Sequence, residues 1–208
     1  MKTSTLLTCC ALFSLSGSVS AEPPTAHFDR ILDTRLEATN FAAIQQEWGE
    51  APVMESGQGG EKVYAFCYQL EGETQLTLLS GEMGGDDHQL LGYQLTAQGK
   101  EKCANPAKPI VASDVLVPGL SLGMTQEAFA DYFGDVSWNK GQPYHYYEWE
   151  RPLSEQELSG LPPSFRDLVK SGEHSGKADV GLSVSGHFIE TAGSKSMNQI
   201  TVWQVSTY

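Results

Sequence analysis

Two stretches of this chain alternate between large apolar residues and smaller or polar ones with a period of two. The first, Val63–Gln69, reads Val-Tyr-Ala-Phe-Cys-Tyr-Gln; the second, from Tyr144 to Glu150, reads Tyr-His-Tyr-Tyr-Glu-Trp-Glu. Successive side chains of a strand point to opposite faces, so this period predicts two half-buried strands. Tyr64, Phe66 and Tyr68 share one face of the first strand, and His145, Tyr147 and Trp149 share one face of the second. Both sets are expected to face a core. The opposite face carries Val63, Ala65, Cys67 and Gln69 in the first strand, and Tyr144, Tyr146, Glu148 and Glu150 in the second. Two tyrosines beside two glutamates form a surface suited to binding, and these four are the candidate binding residues.

A turn or two of amphipathic helix precedes each strand. Phe41-Ala-Ala-Ile-Gln-Gln-Glu-Trp closes on Gly49, and Glu127-Ala-Phe-Ala-Asp-Tyr-Phe closes on Gly134. Glycine suits the position just past a helix end because it takes positive φ at no steric cost. Further matches follow: Ser80-Gly-Glu-Met83 with Ser185-Gly-His-Phe188, and Tyr93-Gln-Leu-Thr96 with Trp203-Gln-Val-Ser206. The spacing between the first and second strands is longer in the second copy, which places an insertion at residues 152–177. There, Ser154 and Glu157 have the spacing of a capping box, and Pro162-Pro163 precedes a short helical run.

The pattern therefore predicts an α+β chain of two tandem repeats, each a short helical segment packed on a three- or four-stranded antiparallel sheet. Residues 22–104 form the first repeat and residues 120–208 the second. Residues 105–119, with three prolines and no helical period, join them.

The run Leu120-Ser-Leu-Gly-Met-Thr-Gln-Glu127, followed by Phe129 and Tyr132-Phe133-Gly134, resembles the opening of SmpA/OmlA (BamE-like) domains, which share a Gly-Met-Thr start, a short helix and a closing glycine. Two such units in tandem are similar in arrangement to the beta-lactamase inhibitory proteins. The resemblance implies a helix capped by Thr125 and lying on a sheet, and a role in binding other proteins. It transfers no binding residue, because no interface motif is shared.

Composition narrows the partners. With 26 acidic against 13 basic residues the formal charge is −13, which disfavours nucleic acid and anionic lipid surfaces and suits a cationic or mixed-charge protein. Residues 1–21 read as a secretory signal: Lys2, an apolar stretch from Leu6 to Leu15, then Val19-Ser20-Ala21. The stretch is about half of the roughly twenty residues that a spanning helix needs, so no membrane insertion is expected. Cleavage would leave Cys67 and Cys103, expected to form one disulfide in an oxidising periplasmic or extracellular compartment.

Motifs for catalysis are lacking. The five histidines show no nucleophile-elbow, zinc-ligand or phosphate-loop spacing. His145 and His187 fall on adjacent predicted strands, where a facing pair would suit a metal or acid–base chemistry. The acid-rich Glu-Met-Gly-Gly-Asp-Asp-His segment, 82–88, reads as a hairpin turn. No cofactor, metal site or catalytic residue is assigned. The expected function is an exported, non-catalytic protein-binding module, an inhibitor or an envelope accessory factor. A small-ligand or metal-binding protein, or a hydrolase of unfamiliar design, is the alternative.

Overall fold

Asn40 and Thr125 start the two helices that cover the sheet. In the computed structural model, which describes residues 28–191 and 193–208, both caps have extended backbones. Their side-chain oxygens accept the N–H groups of Ala43 at 3.0 Å and Ala128 at 3.2 Å. A helix leaves its first N–H groups without internal acceptors, and each cap satisfies one. The helices are α1 (Phe41–Trp48) and, beyond a single turn α2 (Ala112–Val115), α3 (Gln126–Phe133). Gly49 and Gly134 end α1 and α3 with φ of 100° and 75°, conformations that favour glycine.

A two-stranded ribbon, β1 (Arg30–Ile31) and β2 (Thr34–Arg35), precedes one antiparallel sheet of eight strands. After α1 come β3 (Met54–Ser56), β4 (Val63–Gln69), β5 (Gln75–Gly81) and β6 (Gly92–Thr96). After α3 come β7 (Ser137–Asn139), β8 (Gln142–Pro152), β9 (Lys177–Thr191) and β10 (Ser194–Thr207). The strand order is β3-β4-β5-β6-β10-β9-β8-β7, so the last strand of each set meets the other at the centre, with Tyr93 opposite Val202 and Gly92 opposite Trp203. The fold is α+β with a large antiparallel sheet and few helices.

One face of that sheet carries the core. Phe66, Tyr68, Leu76, Leu78, Tyr93 and Leu95 line it in the first half, and Leu182, Val184, Ile200 and Val202 in the second, all essentially inaccessible. Phe41 meets Phe66 edge-on, and Trp48 lies against Tyr68. Phe129 fills the same role under α3, against Phe188 and Phe133. Burial pushes the Tyr68 hydroxyl up to about 12, and it donates to the carbonyl of Gly49 at the end of α1. The alternation in β4 and β8 thus places Tyr64, Phe66, Tyr68, Tyr147 and Trp149 on the core side.

The structure adds three details to the sequence reading. Residues 105–119 contribute to the main core, where Ile110, Val115 and Val117 are buried, and α2 forms there. The strand matches drift by one residue after β4: Tyr93 faces the core, whereas Trp203 lies in the opposite-face row, paired with Ser183 and Gly92. His145 and His187 do not face each other. His145 stacks on Phe133 on the core side with Nδ1 at 2.5 Å from the carbonyl oxygen of Asp135, and His187 is exposed on the other face, opposite Gln199.

Between β8 and β9, α4 (Glu155–Gly160) and α5 (Pro163–Ser171) form a small satellite with its own apolar cluster of Leu153, Leu158, Leu161, Phe165 and Ala178. α4 begins at the Ser154–Glu157 capping box that the spacing predicts. Glu157 also takes two hydrogen bonds from Arg151, at 2.9 and 2.5 Å. The guanidinium first, then the Ser154 N–H and hydroxyl, outweigh burial and hold the Glu157 carboxyl down from 4.5 to about 2. Because its folded value lies below the unfolded one, this stabilisation is complete above pH 4.5 and is lost as pH falls through about 2. Thermal melts across that window should show the Glu157→Gln variant losing less stability than the native chain. Parallel curves would mean that the pair adds nothing.

Candidate functional site

The second face of the sheet is where the four sequence-nominated residues lie. Cross-strand pairing carries the face outward from the centre: Trp203 beside Ser183 and then Tyr146, Thr201 beside Ser185 and then Tyr144, Val205 beside Gly181 and then Glu148, and Thr207 beside Asp179 and then Glu150. None of these side chains is buried. The first half of the same face is treated differently. There the segment around Gly99 to Cys103 crosses it, Gln75 donates to the carbonyl of Glu101 at 2.6 Å and is 5 % exposed, and the Cys67–Cys103 disulfide fastens the segment to β4. The two halves share a sheet, and Tyr146, Glu148, Glu150, Asp179 and Thr207, exposed side chains of this face, belong to the β8–β10 half.

Glycines shape what remains. A Cβ on Gly181 would stand 2.2 Å from the Tyr146 hydroxyl, so the tyrosine ring lies down over β9. A Cβ on Gly92 would meet the Trp203 ring at 3.0 Å, and the far edge of the same indole reaches 3.4 Å from the equivalent point at Gly81. Glycine within a strand marks close approach of another group, and here the groups are the side chains of Tyr146 and Trp203. Between them lies a depression of about 230 Å³, floored by Gly181 and Ser183 and bordered by Tyr146, Trp203 and Val205, with Glu148 and Asp179 at one end.

Charge at that end is of one sign. Lys177 pairs with Glu150 at 2.6 Å, which raises the lysine pKa, but no cation lies within ion-pair distance of Glu148 or Asp179 among the described residues. Next to it, the polar row is already satisfied: Gln94 and Gln199 donate to Thr96 and Thr201, each at 3.2 Å. Aromatic walls beside carboxylates lacking cations are well suited to receive a guanidinium or ammonium group.

No family model, curated protein or solved structure matches this chain.

The structure brings Tyr144, Tyr146, Glu148 and Glu150 together on one accessible strip, and adds Trp203, Ser183, Gly181 and Asp179 to it. Trp203 entered the sequence reading only as a repeat marker; Gly92 and Gly81, standing within strand-like runs, were the signal that could have found it. The residues weighed for other chemistry lie elsewhere. Glu82–Gly84 is a helical turn leading into the loop before β6, as turn chemistry predicts. His88 is packed between Phe41 and Tyr64. A second depression, about 360 Å³, lies near Glu37, Arg151 and Tyr208. Its charges are engaged: Arg151 with Glu157, and Glu37 accepting from Ser206 N–H at 2.6 Å and Gln204 Nε2 at 2.7 Å. It ties the N-terminal loop to β10 and retains less capacity for a ligand than the aromatic strip does.

Proposed function

We propose that this chain is an exported protein-binding module of two tandem helix-plus-sheet repeats, and that it holds a basic partner on the β8–β10 half of its open face. The observation that carries the reading is the accessible strip of Tyr144, Tyr146, Trp203, Glu148, Glu150 and Asp179, in a sheet whose other face packs on the main core. Tyrosine and tryptophan anchors beside charge are the side chains that dominate protein interfaces. The repeat is supported by α1 and α3, of equal length, each capped by a short polar side chain, ended by glycine and followed by four strands. The resemblance to tandem SmpA/OmlA-like units, whose members act by binding proteins, points the same way. Export rests on residues 1–21, which lie outside the described residues, and agrees with the Cys67–Cys103 disulfide. No helix among the described residues is long and apolar enough to cross a membrane.

The test is capture from an envelope extract by the native chain and by the Tyr144→Ala, Tyr146→Ala double variant, with melting temperatures confirming that both fold. Loss of two interface aromatics is expected to weaken the complex by at least about 2 kcal/mol, or roughly thirtyfold in Kd. Binding should also weaken as salt rises. A partner retained equally by both proteins would move the site to the α4–α5 satellite. No partner, with thermal stabilisation by a small ligand instead, would replace this reading.

A further inference from the structure

The outer edge of β8 is far longer than the strand that covers it. β7 pairs with β8 only through Ser137 with Tyr144, Trp138 with Pro143 and Asn139 with Gln142, whereas β9 pairs with it from Tyr144 to Pro152. Past Tyr144 no strand among the described residues pairs with the outward side of β8.

Which backbone groups point outward follows from the hairpin. Lys140 and Gly141, with φ of 50° and 78°, form a two-residue turn, and such turns close on a hydrogen-bonded pair, here Asn139 and Gln142. The N–H and C=O of a strand residue point to the same side, and the side alternates along the chain. Gln142, Tyr144, Tyr146, Glu148 and Glu150 therefore direct theirs outward, and the residues between them direct theirs toward β9. Two further observations agree. Leu153 donates inward to Gly176 at 2.9 Å, and Pro152, which has no N–H to offer, stands at an outward position. At Pro143, an inward position, the β8–β9 ladder stops, and the Gln142 side chain accepts the Phe188 N–H at 2.8 Å instead.

The uncovered N–H and C=O groups thus belong to Tyr146, Glu148 and Glu150, the same residues whose side chains stand on the open face. We propose that a partner segment in extended conformation adds to this edge as a further strand, carrying lysine or arginine at alternate positions, one beside Glu148, which no cation among the described residues pairs, and one beside Glu150, which it would share with Lys177. This rests on the protein-binding reading of the same face and gives it a mode. Main-chain hydrogen bonds supply affinity in strand addition, and alternate side chains supply specificity. Opposite charges directly across two strands stabilise by about 0.2–1 kcal/mol per pair, and like charges destabilise. The same rule argues against a second copy as occupant, since β8 against β8 would set glutamates near glutamates, a known protection of exposed edges.

The experiment uses the native chain and three ten-residue peptides: one alternating lysine with valine, a twin with glutamate for lysine, and a twin N-methylated on alternate amides. Amide exchange followed by NMR is expected to slow about tenfold at Tyr146, Glu148 and Glu150 with the lysine peptide, and not with either twin. The Glu148→Gln, Glu150→Gln variant should bind the lysine peptide about fivefold more weakly with an unchanged melting temperature. Binding without protection of those three amides, equal binding by the glutamate or methylated twin, or no binding at millimolar peptide would each overturn strand addition. If the natural partner is lost in the Tyr144, Tyr146 variant but leaves these amides unprotected, edge pairing alone fails. If the partner is indifferent to that variant, the reading of the face itself fails.

Discussion

In reducing buffer the chain is expected to lose roughly 4 kcal/mol of stability. Cys67 and Cys103 are 36 residues apart, and closing a loop of that length removes about this much free energy from the unfolded ensemble in the chain-entropy description. Set against a total of some 5–15 kcal/mol, it is a large share, equivalent to a fall in melting temperature of roughly 8–16 °C for a chain of this size. The bond also has a local task. Ala104 pairs beside Tyr68, donating to the Cys67 carbonyl at 3.0 Å and accepting from the Gln69 N–H at 2.7 Å, so the tethered segment completes the outer edge of β4 where β3 stops. Release should therefore expose Gln75 as well as lower the melting temperature. Melts with and without reductant, alongside a Cys67→Ser, Cys103→Ser variant, measure both effects. An unchanged melting temperature would mean that the backbone bonds of Ala104 hold the segment unaided.

The second large effect is expected at the centre of the sheet. Gly92 lies where β6 meets β10, and a Cβ there would stand 2.4 Å from the carbonyl oxygen of Val202, a backbone atom that cannot rotate away. Gly92→Ala must push the two halves apart or tilt the seam, at a cost of about 1–3 kcal/mol or more. It also lifts Trp203 from its glycine bed, so binding at the open face should weaken with stability. Gly160→Ala is the control: nothing lies within 4 Å of its added methyl, and stability should hold or rise slightly. Equal melting temperatures for the Gly92 variant and the native chain would show that the seam yields without strain.

Much of this arrangement was legible before any coordinates. Period-two alternation assigned the faces of β4 and β8, because a strand with one buried face leaves that mark in every second residue. The glycine stops at Gly49 and Gly134 and the Ser154–Glu157 box bounded helices through local backbone chemistry, which needs no tertiary context. The cysteine pairing followed from setting aside Cys9 and Cys10 with the expected signal at residues 1–21, which leaves one pair. Register was harder. Matching Tyr93 with Trp203 by sequence slips the alignment by one residue, and one residue exchanges the faces of a strand. That slip hid Trp203 from the candidate site. For want of register, whether His145 and His187 share a face could not be read from the sequence; they stand on opposite sides of the sheet. The joining of two four-stranded halves through β6 and β10 left no local mark, since it depends on contacts between residues about a hundred positions apart.

That joining has a consequence in time. As the chain emerges from the ribosome, β3 to β6 can assemble early, but the free side of β6 is completed only by β10, about a hundred residues later. Until β10 arrives, the first half carries an uncovered edge beside Tyr93 and Leu95. Unpaired strand edges and exposed apolar surface are what make partly folded chains associate wrongly. A chain cut short before β10 would lose the centre of this sheet, not its margin.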